Sequence, residues 1–133
     1  PGFQGLDAGA DRGLGDVQAL CGADATADLE RTAQALTVCA TAAAGGIPVR
    51  LWLTGDAAYL ATPGYAEPLT LAHSAPLADL RDALLALEAI SVCTQCAARR
   101  DLTPDDLLPG ASIAGAMGFV EQVMTDGAQA LVY

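Results

Sequence analysis

The chain has 133 residues and a formal net charge of −10, from 16 acidic and six basic residues, all of the latter arginine. That length admits one domain with a hydrophobic core, and that charge repels a phosphate backbone, which excludes nucleic acid as a partner. Although 53% of the residues are apolar, no window reaches the roughly 18 consecutive apolar residues a membrane span needs.

The chain opens "PGFQGLDAGADRGLG", with neither a basic start nor an apolar signal core, which points to a cytoplasmic protein. Residues 1–14 are glycine-rich and without periodicity and are expected to form a flexible arm, followed by a single α/β domain over 15–133. "DVQALC", Asp16 to Cys21, is a weak first strand. From Asp28 onward Leu29, Ala33, Leu36, Ala40 and Ala43 make one stripe of an amphipathic helix, stopped by Gly45 and Gly46. "IPVRLWLTG" is a strand with Val49, Leu51 and Leu53 on one face. Residues 56–75 carry Pro63, Gly64 and Pro68 and read as a long irregular connection, a place where function often resides.

A second helix starts near Pro76 and runs through "LADLRDALLALEA", with Leu77, Leu80, Leu84 and Leu87 on one face. "AISVC" is a third strand, and helix resumes behind the cysteines at "AARRD". "TPDDL" is predicted to open another helix capped by Thr103. "SIAGA", "GFVEQVMTDG" and "AQALVY" complete the pattern as strand, helix and strand. Alternating strands and helices predict a three-layer α/β/α sandwich around a mainly parallel sheet of about five strands.

The chemistry concentrates in "SVCTQCAARR", Ser91 to Arg100. In an open parallel sheet, sites gather at the carboxyl ends of the strands, where Cys93 falls. A cysteine at or just before a helix N-terminus has its thiolate favoured by free N–H groups, as a nucleophilic or sulfur-accepting cysteine requires. Cys96 lies about one turn further on, so its sulfur can come near that of Cys93. Arg99 and Arg100 lie toward the helix C-terminus, where their simplest role is to balance the negative helix end. The pair is compatible with thiol chemistry, with two buried apolar residues, or with half of a four-ligand metal site. Cys21, Cys39 and His73 are the only other soft or borderline ligands, and none has knuckle spacing, so no metal site is assigned.

"VCTQCAARRDL", together with "RLWLTGDAAYLATPG" and "IAGAMGFVEQVMTDGAQALVY", resembles the DsrE-like family of small α/β proteins, which includes the sulfur-relay subunits DsrE and TusD. The resemblance runs from about Asp24 to Tyr133. It implies that Cys93 stands where relay members carry a persulfide between donor and acceptor, with Arg99 and Arg100 at the basic end of the following helix. It also implies a sulfurtransferase-type sulfur carrier without metal or organic cofactor. Its partners would be sulfur donor and acceptor proteins or small thiols, and its assembly a homo-oligomer, trimer or hexamer. Two departures stand out, a poor first strand and a second thiol at Cys96, where many relay members have a small residue. Cys96 can resolve a persulfide by closing a disulfide, or the CxxC can be a dithiol redox or sensing pair. A non-catalytic oligomeric module with a structural or metal-binding pair is the third reading.

The remaining residues carry ordinary expectations. His73 is exposed in the long loop, Asp56 starts a turn after the second strand, and Cys39 borders a buried helix stripe. Trp52 packs on the sheet, and Tyr59 and Tyr65 wall the site or a subunit contact. "RGLGD" lacks a preceding strand and a full GxGxxG pattern, so it makes no dinucleotide site.

Overall fold

The computed structural model describes residues 17–21 and 28–133, and the expected arm over 1–14 lies outside them. Strands β1 (Val17–Cys21), β2 (Val49–Leu53), β3 (Ile90–Cys93), β4 (Ala111–Ala114) and β5 (Gln129–Val132) form one sheet in the order β4-β3-β2-β1-β5. Every pairing is parallel. The sequence's weakest strand, β1, is an interior one, with Val17 opposite both Val49 and Gln129. An interior parallel strand is held by two neighbours, so "VQALC" needs little intrinsic strand preference to be recruited.

One face of the sheet carries the main core. Helices α1 (Leu29–Ala44) and α2 (Leu77–Ala86) pack on it and on each other, with Leu36, Cys39, Leu77 and Leu84 in one buried cluster with Leu51, Leu53, Ile90 and Val92. The short helix α3 (Thr94–Arg99) contributes Ala97 to the same cluster. On the opposite face lies α4 (Ala116–Val123), where Phe119 stacks on Trp52 at 5.0 Å between ring centroids. Trp52 Nε1 also donates to the Ala114 carbonyl at 2.9 Å, tying β2 to the end of β4. Helices thus flank both faces, as the alternating pattern predicts, and Trp52 packs on the sheet as expected.

Several local expectations are revised. The buried stripe of α1 is Thr32, Ala33, Ala35, Leu36 and Cys39, rotated from the predicted one, because alanines on every side blur its phase. Residues 56–75 are less irregular than expected: Gly55–Ala61 is a 3₁₀ helix burying Ala57, Ala58, Leu60 and Ala61. "TPDDL" forms only a single 3₁₀ turn, Pro104–Asp106. There the Asp106 carboxylate accepts both the Thr103 N–H, at 2.7 Å, and the Thr103 hydroxyl, at 2.9 Å, and Pro109 and Gly110 soon follow.

In α2 the predicted Leu87 is 59% exposed, while Arg81 is 2% exposed in the middle of the buried stripe. Its guanidinium takes both oxygens of Glu67, at 3.2 and 2.7 Å, and its Nε meets Asp82 at 2.9 Å. A buried charge must be paired, so Arg81 fastens the segment carrying Glu67 onto α2. The Arg81 hydrogen bond lowers the Glu67 carboxyl from 4.5 to about 2. A depressed folded-state pKa stabilises above the unfolded value and is lost as pH falls through the folded one. Glu67→Gln is therefore expected to lower Tm at neutral pH, with the gap to wild type narrowing between pH 4.5 and about 2, as thermal melts across that range would measure.

Gly110 immediately precedes β4 with φ 96°, and a β-carbon there would collide with the Leu85 carbonyl. Gly110→Ala should cost about 1–3 kcal/mol in urea unfolding, because both the backbone conformation and the close approach require glycine.

Candidate functional site

The connections after β3 and β4 leave the sheet on opposite sides: α3 joins the main core through Ala97, and α4 lies against Trp52. Such a parting of adjacent loops opens a crevice at the carboxyl edge of a parallel sheet. Here it is a cavity of about 240 Å³ lined by Cys93, Thr94, Gln95, Gly115 and Ala116. Cys93 ends β3 opposite Ala114 of β4 and is the N-cap of α3. It is 7% exposed, and the predicted position at a strand end holds. A larger hollow of about 460 Å³, lined in part by Asp82, Glu88 and Pro109, holds no cysteine.

Cys96 lies in the first turn of α3, also 7% exposed, and is not among the residues lining the cavity. Its Sγ accepts the backbone N–H of Gly55 at 3.1 Å, a contact between residues 41 apart in sequence. Gly55, separated from β2 only by Thr54, adopts φ 57°, the left-handed conformation that favours glycine. Both cysteines are free thiols.

The electrostatics act mainly on Cys96. Burial pushes its thiol up, but the Gly55 N–H, the Cys93 thiol and the charges of Arg100 and Arg99 outweigh it, and the net direction is down. Arg100 donates to Asp56 through Nε at 3.1 Å and Nη2 at 2.7 Å, and through Nη1 to the Cys96 carbonyl at 3.1 Å. Its guanidinium also lies 5.8 Å from the centre of the Tyr59 ring, which stacks in turn on Tyr65 at 5.4 Å. The Asp56 hydrogen bond raises the Arg100 pKa further, so the guanidinium stays charged.

Sequence reasoning therefore finds the two thiols and the helix-end role of Arg100, but misses Gly55 and the Arg100–Asp56 pair. The available signal was "LTGD" at the end of the strand that neighbours β3, since adjacent parallel strands bring their carboxyl ends together. His73 is not part of the site: it is exposed, with φ 62°, in a separate groove with Glu30, Gln34 and Thr37 of α1. Cys39 is fully buried in the core, as expected. Cys21 ends β1 opposite Leu53. Among the described residues no three His, Cys, Asp or Glu side chains converge as a metal-ligand set, and no helix is long and apolar enough to cross a membrane.

A family model for DsrE/DsrF-like proteins matches residues 19–132. The chain belongs to the DsrE/DsrF-like family. The crystal structure of the ychN protein from E. coli is similar at a TM-score of 0.65 and 16% identity, covering 90% of this chain and 98% of that one. The structure of MTH1491, a protein of unknown function from Methanobacterium thermoautotrophicum, gives a TM-score of 0.54 at 13% identity, covering 89% and 97%. At such identities these two likenesses speak for the shared DsrE-like fold. No curated protein matches the chain.

Arg100→Met removes a positive charge beside Cys96 and leaves both sulfurs in place. The expected result is a thiolate absorbance that titrates at higher pH than in wild type, because one of the groups lowering the Cys96 thiol is gone.

Proposed function

We propose that this DsrE/DsrF-like protein is a sulfur-relay carrier in which Cys93 accepts sulfane sulfur as a persulfide and passes it on, with Cys96 as the neighbouring thiol. The observation that carries this reading is a family chain with a cysteine at the end of β3, opening on a cavity of about 240 Å³. A volume of that size suits a small sulfur species or the terminal thiol of a partner, and donors and acceptors can be proteins or small thiols. Nucleophilic attack by the Cys93 sulfur on the outer sulfur of a donor persulfide gives a Cys93 persulfide and a donor thiolate. We place this chemistry in the cytoplasm, where thiols stay reduced, and in one α/β domain over 15–133.

A homo-oligomeric state belongs to the same reading. Met117, Val120 and Met124 form an exposed apolar stripe on α4, and Val132 of β5 is 72% exposed, an apolar surface of the kind subunits cover. The placement of Cys93 as N-cap and Cys96 in the first turn of the same short helix also supports the second reading, a dithiol that closes to a disulfide under oxidant.

Intact-mass measurement after exposure to a small hydropersulfide tests the first reading. Wild type is expected to gain one sulfur atom, and Cys93→Ser is expected to gain none. An unmodified wild type, or equal uptake by the variant, refutes sulfur transfer at Cys93. A protein that instead loses two hydrogens, without added sulfur, follows the dithiol reading.

A further inference from the structure

The two thiols of the pair stand in different surroundings. Cys93 lines the cavity between the ends of β3 and β4, and Cys96 sits behind it against Gly55. Cys96 Sγ accepts the Gly55 backbone N–H at 3.1 Å, while Cys93, three residues earlier, opens on the cavity. A buried sulfur that accepts a fixed backbone N–H is arranged to carry the charge of a thiolate.

We propose that Cys96 is the base of the transfer, its thiolate taking the proton of Cys93 as Cys93 attacks the sulfane sulfur of the donor. This inference rests on the reading of Cys93 as the sulfur acceptor. In loading, the Cys93 sulfur bonds to the outer sulfur of a donor hydropersulfide, the donor's sulfur–sulfur bond breaks, and the donor leaves as a thiolate. The Cys93 proton passes to Cys96, which becomes a neutral thiol. The sulfane sulfur moves between thiols without net oxidation or reduction. In delivery an acceptor thiolate attacks the same sulfur, Cys93 leaves and recovers its proton from Cys96, and the resting pair is restored.

The surroundings of Cys96 suit this role. Among the described residues, Cys93, Arg99 and Arg100 of the β3–α3 segment act on it, and Asp56 and Tyr59 of the 3₁₀ helix lie against Arg100. Asp56, the anion of the set, is engaged by two bonds from Arg100, so the cations act on the sulfur with that opposing charge already paired. Proton uptake has a second consequence. A protonated Cys96 is a poor nucleophile, so it does not attack the inner sulfur of the Cys93 persulfide, and loading itself protects the cargo from loss as hydrosulfide.

The test reads thiolate absorbance without any donor, then single-turnover loading with a small hydropersulfide. At neutral pH Cys93→Ser is expected to keep the thiolate absorbance of wild type and Cys96→Ser to lose it. Cys96→Ser and Cys96→Ala are expected to load Cys93 at least about tenfold more slowly than wild type, with the deficit closing as pH rises and hydroxide replaces the missing base. A Cys96→Ser protein that retains the thiolate, or loads at the wild-type rate with an unchanged pH profile, overturns the proposal. Should the Cys96 variants fail to fold, Cys93→Ser decides alone, since loss of its thiolate absorbance also overturns it. Failure of sulfur transfer as a whole is distinguished by a wild type that shows the thiolate yet takes up no sulfur.

Discussion

The hydrogen bond from the Gly55 backbone to Cys96 Sγ, 3.1 Å long, is the interaction on which the site depends. It joins the carboxyl end of β2 to the first turn of α3, and it needs the left-handed turn that Gly55 supplies. The buried 3₁₀ helix that Gly55 begins presents Asp56 to Arg100, and Arg100 reaches back to the Cys96 carbonyl. One backbone N–H thus ties together the thiol pair, the cation that bears on it and the segment that shields them. A neutral backbone donor stabilises a thiolate without bringing in a counter-charge that would need pairing of its own.

The sheet supplies the other half of the arrangement. With β3 beside β4 and their following helices on opposite faces, the crevice at their ends is a consequence of strand order and not of loop length. Trp52 closes that arrangement from below the edge: its ring holds Phe119 of α4 and its Nε1 holds the last carbonyl of β4. The walls of the Cys93 cavity, Gly115 and Ala116 among them, are positioned by this packing. Helix α4 has no fully buried residue, so its inner contacts fix the cavity while its outer stripe remains apolar and exposed.

Much of this was legible in the sequence, and the gaps have physical causes. The strand and helix order, the Val49, Leu51 and Leu53 face and the placement of Cys93 follow from periodicity and from the rule that sites lie at strand ends. The interior place of β1 was hidden because its stability comes from two partners and not from its own residues. The phase of α1 was hidden by alanine, which fits a buried or an exposed face equally well. Arg81 was hidden because a charged residue counts against burial unless its partner is known, and Glu67 lies 14 residues away. In the site, the two thiols announce themselves by spacing, whereas their division of labour rests on a backbone N–H that has no residue signature of its own.

The account stands on an outer thiol that carries the sulfur and an inner one that carries the proton. The most direct measurement locates the sulfane sulfur itself. After loading with a hydropersulfide and blocking of all thiols and persulfides, the peptide between Arg81 and Arg99 contains both cysteines of the pair, and its fragmentation assigns the added sulfur to one of them. The account predicts the added sulfur on Cys93 and a plain blocked thiol at Cys96. Sulfur found on Cys96, or a Cys93–Cys96 disulfide with no added sulfur, would contradict it.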